Sequence, residues 1–321
     1  MVPAHRLVTL LQQAKDYQIH KCLYHLRFAD GPHSLLIDHS CDSAAFPSAT
    51  IRVLSGHKDE VWDIKFSHDG TKLASSSKDS SVIIWDTHVS LFNITSIDIQ
   101  TWEQLHTLKD HAGGVASLDW SPDDQRLLTA SHDHKVKMWY TEVSLFLCLV
   151  DCQTGNLVRT MEHNEIVTVC RWFPDGQTFI SASVDKEVMV WNLSGTVLQQ
   201  WSMDRMFDLA VTPDGSKMVA ICNERKLHIY NVLDSFREVM SYQMGHNMTS
   251  VTVSNDSKYV LINSMAQEVH LWDIEKFRLV RKYVGQTQEK FMIRSCFGGP
   301  EQNFVLSGSE GMSVFVHKLT I

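Results

Sequence analysis

Short runs of alternating apolar and polar residues, separated by turn residues, follow one another along most of the chain. The run Val61-Trp62-Asp63-Ile64-Lys65-Phe66 is followed by the turn residues Asp69-Gly70, and residues 72–77 are followed by Lys78-Asp79-Ser80. Residues 81–85 are then mostly apolar and β-branched, as expected for a strand buried on both faces. Turns about every ten residues are typical of an antiparallel all-β unit rather than of βαβ units.

The same residue types recur at fixed offsets in three segments. The first segment begins at His57, with an aspartate 22 positions later and a tryptophan 28 positions later. The second segment repeats both offsets from His111, and the third repeats them from His163. A fixed period of this kind indicates a repeat architecture in which each repeat is one structural unit.

The repeat continues more weakly towards the carboxyl end. In a fourth unit Tyr230 takes the place of the tryptophan, and a fifth unit closes on Trp272. The histidine of the fifth unit, His246, is displaced by two residues from the expected position, which is Met244. In a sixth unit His317 stands where tryptophan is expected. The sequence therefore predicts six units.

The repeat resembles the WD-repeat family of β-propellers over about residues 51–321, and Gly56-His57 with Trp85-Asp86 reproduces the family's Gly-His and Trp-Asp marks. The resemblance implies an all-β propeller with six recognisable blades, the last blade of a seven-blade ring being missing or irregular. We expect residues 50–321 to form this propeller. Residues 1–49 are then a helical remnant of a CTLH-like region with its linker.

In this family, a histidine, a serine or threonine, an aspartate and a tryptophan form a buried hydrogen-bond chain in each blade. The resemblance assigns this role to His57, Ser75, Asp79 and Trp85, to His111, Thr129, Asp133 and Trp139, and to His163, Ser181, Asp185 and Trp191. Ser77 is an alternative to Ser75, because alternation along a strand puts both on one face. Recurrence in three units is typical of blade architecture and not of a single hydrolase triad.

Further stretches resemble one group within the family, the WD-repeat scaffold subunit of the GID/CTLH ubiquitin ligase. They include Lys21-Cys22-Leu23-Tyr24-His25, Leu279-Val280-Arg281-Lys282-Tyr283 and Ser295-Cys296-Phe297-Gly298-Gly299. The resemblance implies a non-enzymatic adaptor that binds RING and CTLH-domain subunits or degradation substrates, in the cytoplasm or nucleus. The alternative is a signalling scaffold like the G-protein β subunits, with no role in ubiquitin transfer.

Residues next to the blade histidines and hairpin aspartates reach one face of the propeller in this family, here called the top face. They are candidate partner contacts. In this chain they are Asp59, Glu60, Lys78, His132, Glu165 and Val184, with Arg205 and Arg225 in the degraded fourth blade.

The overall composition excludes several classes of function. The 321 residues carry 29 Lys and Arg against 37 Asp and Glu, a net charge of −8 that does not favour DNA or an anionic membrane surface. No apolar run approaches the roughly 20 residues that span a bilayer. Catalytic, metal-binding and phosphate-binding motifs are missing, so we expect no cofactor, metal or small-molecule substrate. Seven cysteines, scattered and odd in number, fit a reducing compartment.

Residues 6–21 read as an amphipathic helix, with Leu7, Leu10, Leu11 and Ala14 at helical spacing. It is either packed on the propeller rim or the end of a longer helical module for dimerisation or docking.

Two connections, after Trp85 and after Trp139, are longer than a WD repeat requires. Both contain Val-Ser-Leu-Phe, at residues 89–92 and 143–146. They are either partner-binding loops or non-native coding sequence such as retained intron, and we favour the second interpretation.

In the WD-repeat family, the strand before the first blade completes the last blade and closes the ring. The resemblance assigns this role to residues 50–54. With six units that blade is incomplete, so we expect an open ring of reduced stability, or a gap filled by residues 21–49. An unpaired strand edge invites pairing with another chain.

Overall fold

Short turns join most successive strands of the chain, and consecutive strands of a blade pair in antiparallel ladders. The computed structural model describes residues 6–21, 50, 52–87, 102–141, 156–299 and 302–319. Within these residues the strands form six sheets, five with four strands and one with three. The predicted all-β propeller with six blades and a short amino-terminal helix is confirmed.

The strands follow one another blade by blade. The first blade contains β1 (Val61–Phe66), β2 (Lys72–Ser77), β3 (Val82–Asp86) and β4 (Gln104–Leu108). The second contains β5 (Val115–Trp120), β6 (Arg126–Ser131), β7 (Lys135–Tyr140) and β8 (Asn156–Glu162). The third contains β9 (Val167–Trp172), β10 (Thr178–Ser183), β11 (Glu187–Asn192) and β12 (Val197–Ser202). The fourth blade contains β13 (Met206–Val211), β14 (Lys217–Cys222), β15 (Lys226–Asn231) and β16 (Arg237–Gln243). The fifth contains β17 (Met248–Val253), β18 (Tyr259–Ser264), β19 (Glu268–Asp273) and β20 (Arg278–Val284). The sixth contains β21 (Ser295–Gly298), β22 (Phe304–Gly308) and β23 (Val314–Lys318).

The core lies between neighbouring blades as well as within them. Ile180 and Val188 of the third blade pack in one cluster with Leu209 and Met218 of the fourth. The middle strands are buried on both faces, which is why their sequences are nearly continuous apolar runs. Burying one large aliphatic side chain contributes about 1.5–3 kcal/mol to stability, so these contacts hold each blade against the next.

A bulge interrupts the ladder near the start of the first strand in each of the first five blades. The bulged residues are Trp62, Ala116, Thr168, Phe207 and Thr249. Bulges re-aim side chains at the ends of sheets. These five residues therefore lie at corresponding positions around one end of the propeller.

The prediction of a strand at residues 50–54 is wrong for the residues of this segment that the structure describes. Residues 50 and 52–54 lie outside any strand. Leu54 packs instead against Leu73, Ile83 and Trp85 of the first blade, which holds this segment beside its own blade. Among the described residues, the sixth sheet keeps only the order β21-β22-β23.

The helix α1 (Arg6–Lys21) forms where the sequence predicts it. Its side chains Leu7, Val8, Leu10 and Leu11 are all exposed, from 41% for Leu11 to 70% for Leu7, so the described side chains are not packed on the rim. No helix in the described ranges has both the length and the apolar character to cross a membrane. Both Val-Ser-Leu-Phe segments and residues 22–49 lie outside the described residues, so the predicted domain boundary at residue 50 stays a prediction.

Candidate functional site

The structure brings the four predicted side chains of the first blade together. His57 Nε2 lies 2.9 Å from Ser75 Oγ, and Trp85 Nε1 donates to the same hydroxyl at 3.0 Å. His57 Nδ1 lies 3.2 Å from Asp79 Oδ2, which also accepts from the Lys58 backbone N–H at 2.7 Å. One hydroxyl and one carboxylate therefore tie the outer loop, the second strand and the third strand into one unit.

The second blade repeats this arrangement with shorter contacts. His111 Nε2 lies 2.7 Å from Thr129 Oγ1, and Trp139 Nε1 donates to Thr129 at 2.9 Å. His111 Nδ1 lies 2.8 Å from Asp133 Oδ2. Burial acts to raise the pKa of Asp133, but hydrogen bonds and the nearby His111 outweigh it and hold that pKa below its ordinary value.

The third blade forms only part of the predicted set. His163 Nε2 lies 2.7 Å from Ser181 Oγ, and Trp191 Nε1 donates to Ser181 at 2.8 Å. Asp185 does not reach His163 but accepts from Ser183 Oγ and the Glu187 N–H. His163 Nδ1 is buried with no hydrogen-bond partner in the described part of the chain, and burial, partly offset by Asp185, lowers the pKa of His163 to about 4.

In the fifth blade apolar residues replace most of the polar set. Met244 is buried at the position where the displaced His246 was expected, and His246 itself is exposed. Ile262 takes the hydroxyl position. Trp272 keeps its place, but its buried Nε1 has no hydrogen-bond partner among the described residues. This blade therefore relies on apolar packing rather than on a hydrogen-bond chain.

The predicted top-face residues lie at one end of the propeller, where each first strand begins and the hairpin between the second and third strands turns. Backbone hydrogen bonds lock these two loops together in five blades. They run from Lys78 N to Glu60 O, from His132 N to Gly114 O, from Val184 N to Ile166 O, from Asn223 N to Arg205 O and from Met265 N to Asn247 O, at 2.8–2.9 Å. Each side chain therefore stands on a fixed backbone.

An aromatic group joins the first and second blades on the top face. The Trp62 ring lies 4.9 Å from the His132 ring, and Trp62 Nε1 donates to Glu60 Oε2 at 3.2 Å. Lys78 Nζ lies 3.8 Å from Asp59 Oδ1 and 3.7 Å from Glu60 Oε1. The structure thus brings Asp59, Glu60, Lys78 and His132 into one cluster around Trp62.

The other predicted top-face residues are distributed over the third and fourth blades. Glu165 is exposed, and Val184 is half-buried. The Arg205 guanidinium lies 5.7 Å from the centre of the Phe207 ring, and Arg225 donates to the Gly245 carbonyl at 3.1 Å. The exposed Arg205 and Arg225 therefore form a basic part of this face on the fourth blade, beside the ion pairs of Lys226 with Asp204 and Glu224.

The sequence did not single out Trp62, at the centre of the first-blade cluster, or Phe207, whose ring lies beside Arg205. Their position in the fold distinguishes them, because each is the second residue of the first strand of its blade and lies in a bulge there. A bulge is not visible in a single alternating run, because it depends on register against the partner strand.

A chain of buried charges crosses the middle of the propeller. The Arg171 guanidinium donates to Asp208 Oδ1 at 2.9 Å, to Ser117 Oγ at 2.7 Å and to the Leu209 carbonyl at 3.1 Å. Arg294 adds contacts to Asp208 at 3.1 Å and to Asp63 at 3.5 Å. These pairs link first strands of different blades and are satisfied within the chain. Over the described ranges, no group of three or more His, Cys, Asp or Glu side chains is arranged to hold a metal ion.

Comparison with known proteins agrees with this architecture. The family described as "WD domain, G-beta repeat" matches residues 48–86, 102–140 and 155–192. The two long connections with the Val-Ser-Leu-Phe segments fall between these matches. The matched segments are the first three blades, where the repeat is most regular.

Similar proteins match almost the whole chain. A "WD repeat-containing protein 26 homolog" of Arabidopsis thaliana is 34% identical over 100% of this chain and 51% of its own length. "GID complex subunit 7" of Schizosaccharomyces pombe is 36% identical over 97% of this chain and 57% of its own length. A "WD repeat-containing protein WDS homolog" of Arabidopsis thaliana is 34% identical over 99% of this chain and 58% of its own length. The chain thus spans about half the length of the curated relatives it matches.

Proposed function

This chain belongs to the WD-repeat family of β-propeller proteins, and we propose that it acts as a non-enzymatic scaffold or adaptor subunit of a GID/CTLH-type ubiquitin ligase. One relative is named as a subunit of a GID complex, which supports this assignment. The proposed partners are RING and CTLH-domain subunits and the substrates that the ligase marks for proteasomal degradation. The ligase chemistry would belong to the RING subunits, in the cytoplasm or nucleus.

The observation that carries the proposal is the construction of the top face. Its loops are fixed by backbone hydrogen bonds, so binding a partner there costs little ordering of the chain. Trp62 and Phe207 supply aromatic surface, and Arg205 and Arg225 are exposed arginines. Aromatic residues and arginine are the residue types enriched in protein interfaces.

Affinity purification of the tagged chain with mass spectrometry tests the proposal. The variant Arg205→Glu with Arg225→Glu reverses the charge of the basic part of the top face. The control, Arg278→Glu with Arg281→Glu, makes the same change at exposed positions on the outer strand of the fifth blade. We expect the wild type and the control to recover RING and CTLH-domain proteins, and the top-face variant to lose them.

Two results would overturn parts of this proposal. Recovery of heterotrimeric G-protein subunits alone would favour the signalling scaffold and contradict the ligase assignment. Equal recovery of RING and CTLH-domain proteins by all three proteins would retain the assignment but move the contact away from the arginines of the top face.

A further inference from the structure

A repeated hydroxyl stabilises the turn after the first strand in four of the blades. The hydroxyl donates to the turn aspartate two residues later, at 2.5–2.6 Å. The pairs are Ser67 with Asp69, Ser121 with Asp123, Thr212 with Asp214 and Ser254 with Asp256. Such a side-chain hydrogen bond stabilises the turn conformation.

The third blade breaks this pattern, because Phe173 occupies the hydroxyl position before Asp175. Asp175 takes its hydroxyl partner from Thr178 Oγ1 instead, at 2.8 Å. Functional sites are often the places where one repeat departs from a stabilising feature that the other repeats keep. The missing hydroxyl at Phe173 therefore makes this part of the third blade a candidate functional site.

The phenylalanine forms one wall of an aromatic groove between the third and fourth blades. Its ring lies 6.0 Å from the Phe236 ring, which lies 4.6 Å from the Trp201 ring. Phe236 adopts a φ of 57°, an uncommon backbone conformation for a bulky residue. The groove holds about 470 Å³, and its lining includes Phe173, Pro174 and Asp175 of the third blade and Asp214, Leu233 and Phe236 of the fourth.

The rim of this blade 3–4 groove combines exposed apolar surface with negative charge. Leu233 is 81% exposed. Asp175 and Asp214 are both exposed, and their turns are adjacent, because a Cβ atom at Gly215 would lie 3.8 Å from the Pro174 ring. The lining residues include no lysine or arginine. The nearby Arg237 lies 3.8 Å from Asp234, which offsets its charge.

We propose that the blade 3–4 groove binds a segment of a partner protein in which a leucine or phenylalanine is flanked by lysine or arginine. The apolar side chain would cover Leu233 and contact Phe173 and Phe236, while the flanking cations would face Asp175 and Asp214. Charge complementarity supports this choice. Among the described residues that line the groove, the two carboxylates are the only charged groups, and the chain carries a net charge of −8.

The groove is separate from the top face. Antiparallel strands put the turns after the first and third strands at the opposite end of each blade from the hairpins of the top face. The lining residues of the groove come from those turns and the strand ends beside them. A partner could therefore occupy the groove while another occupies the top face, and the two proposals fail independently.

Fluorescence polarisation with a fluorescein-labelled peptide of core sequence Arg-Leu-Arg tests the groove. We expect saturable binding to the wild type and no binding of a Glu-Leu-Glu peptide. Leu233→Ser should weaken binding about tenfold, which corresponds to roughly 1.4 kcal/mol. Leu198→Ser, at a 52% exposed position on the outer strand of the third blade, is the matched control and should bind normally.

Asp175→Asn with Asp214→Asn gives a second, charge-specific measurement. We expect weaker binding of the Arg-Leu-Arg peptide and a smaller effect of salt, while Asp256→Asn, in the same turn of the fifth blade, leaves binding unchanged. The Arg205→Glu, Arg225→Glu variant of the top face should bind the peptide normally. No binding to the wild type, equal binding of both peptides, or equal binding by wild type and groove variants would overturn the proposal.

Discussion

At the scale of single residues, one carboxylate separates the third blade from the first two. Asp79 and Asp133 reach the ring of their histidines, at 3.2 and 2.8 Å. Asp185 turns to Ser183 instead, and His163 Nδ1 stays buried without a hydrogen-bond partner among the residues that the structure describes. A satisfied buried network stabilises a fold, and one that loses a partner costs free energy. The three blades are therefore alike in sequence and unequal in their energetics.

Removal of the Asp133 carboxylate from the second blade should lower the free energy of unfolding more than removal of the Asp185 carboxylate from the third blade. Asp133→Ala leaves His111 Nδ1 and the Ala112 N–H without their acceptor, so we expect a loss of about 1–3 kcal/mol in the free energy of unfolding. Asp185→Ala breaks no contact with a buried histidine and should cost less. Urea unfolding of both variants measures the difference, and equal losses would contradict this account.

The third blade should also make the protein sensitive to mild acid. The folded pKa of His163, about 4, lies below the ordinary 6.5, so the unfolded chain binds more protons between these values. Stability that is complete above pH 6.5 is therefore lost as the pH falls towards 4. The shift corresponds to an upper limit of about 3 kcal/mol.

Melting temperatures between pH 7 and pH 4.5 test this linkage. We expect His163→Gln to reduce the fall in melting temperature on acidification, because its side chain does not titrate. The control His246→Gln, at an exposed position, should keep the slope of the wild type. An unchanged slope in His163→Gln would show that other groups cause the acid sensitivity.

At the scale of elements, a glycine determines how closely two loops of the top face approach each other. A Cβ atom at Gly114 would lie 2.7 Å from the Trp62 ring and 3.2 Å from the Lys78 backbone. The loop before the second blade can therefore approach the first blade only with glycine at this position. Trp62 and His132 owe their contact to that close approach.

Gly114→Ala should displace Trp62 and lower stability by about 1–3 kcal/mol, the usual cost of overpacking. The matched control is Gly245→Ala in the loop before the fifth blade, where an added Cβ meets nothing within 4 Å. It should be neutral or slightly stabilising. Thermal unfolding and tryptophan fluorescence check both variants, and equal behaviour would contradict the proposed packing of the top face.

The sequence determines most of the elements, because turn residues and alternation recur locally in each unit. The quartets of the first two blades were assigned through the resemblance to the WD-repeat family, which the fixed spacings of the histidine, aspartate and tryptophan made recognisable. The sequence could not show that Asp185 turns away from His163 towards Ser183, because a serine stands two residues before the aspartate in all three blades, at Ser77, Ser131 and Ser183, so the spacing does not tell them apart. It also could not show that residues 50 and 52–54 stay out of a strand, since strand pairing depends on the partner edge.

At the scale of the whole molecule, charge pairs near the axis hold blades together that are distant along the chain. Arg171 of the third blade contacts Ser117 of the second and Asp208 of the fourth. Arg294, just before the sixth blade, reaches Asp208 and Asp63 of the first. These contacts connect five blades, including the first and the sixth, between which the described residues show no shared sheet.

Arg171→Leu should destabilise the whole ring rather than one blade. Asp208 is 1% exposed and would lose its buried cation, and breaking such a pair costs about 3–5 kcal/mol. Arg294→Leu should cost less, because the side chain of Arg294 is 38% exposed and more of its interaction is screened by water. Urea unfolding should show one cooperative transition at a lower midpoint for Arg171→Leu, and an unchanged midpoint would contradict this role.

We propose that this propeller binds the subunits of a ubiquitin ligase through its top face. Size-exclusion chromatography with light scattering, on the purified chain mixed with purified RING and CTLH-domain subunits, measures this binding. We expect a complex whose mass equals the sum of its members and which fails to form with Arg205→Glu, Arg225→Glu. If the wild-type chain elutes alone at its own mass, the proposed binding is wrong.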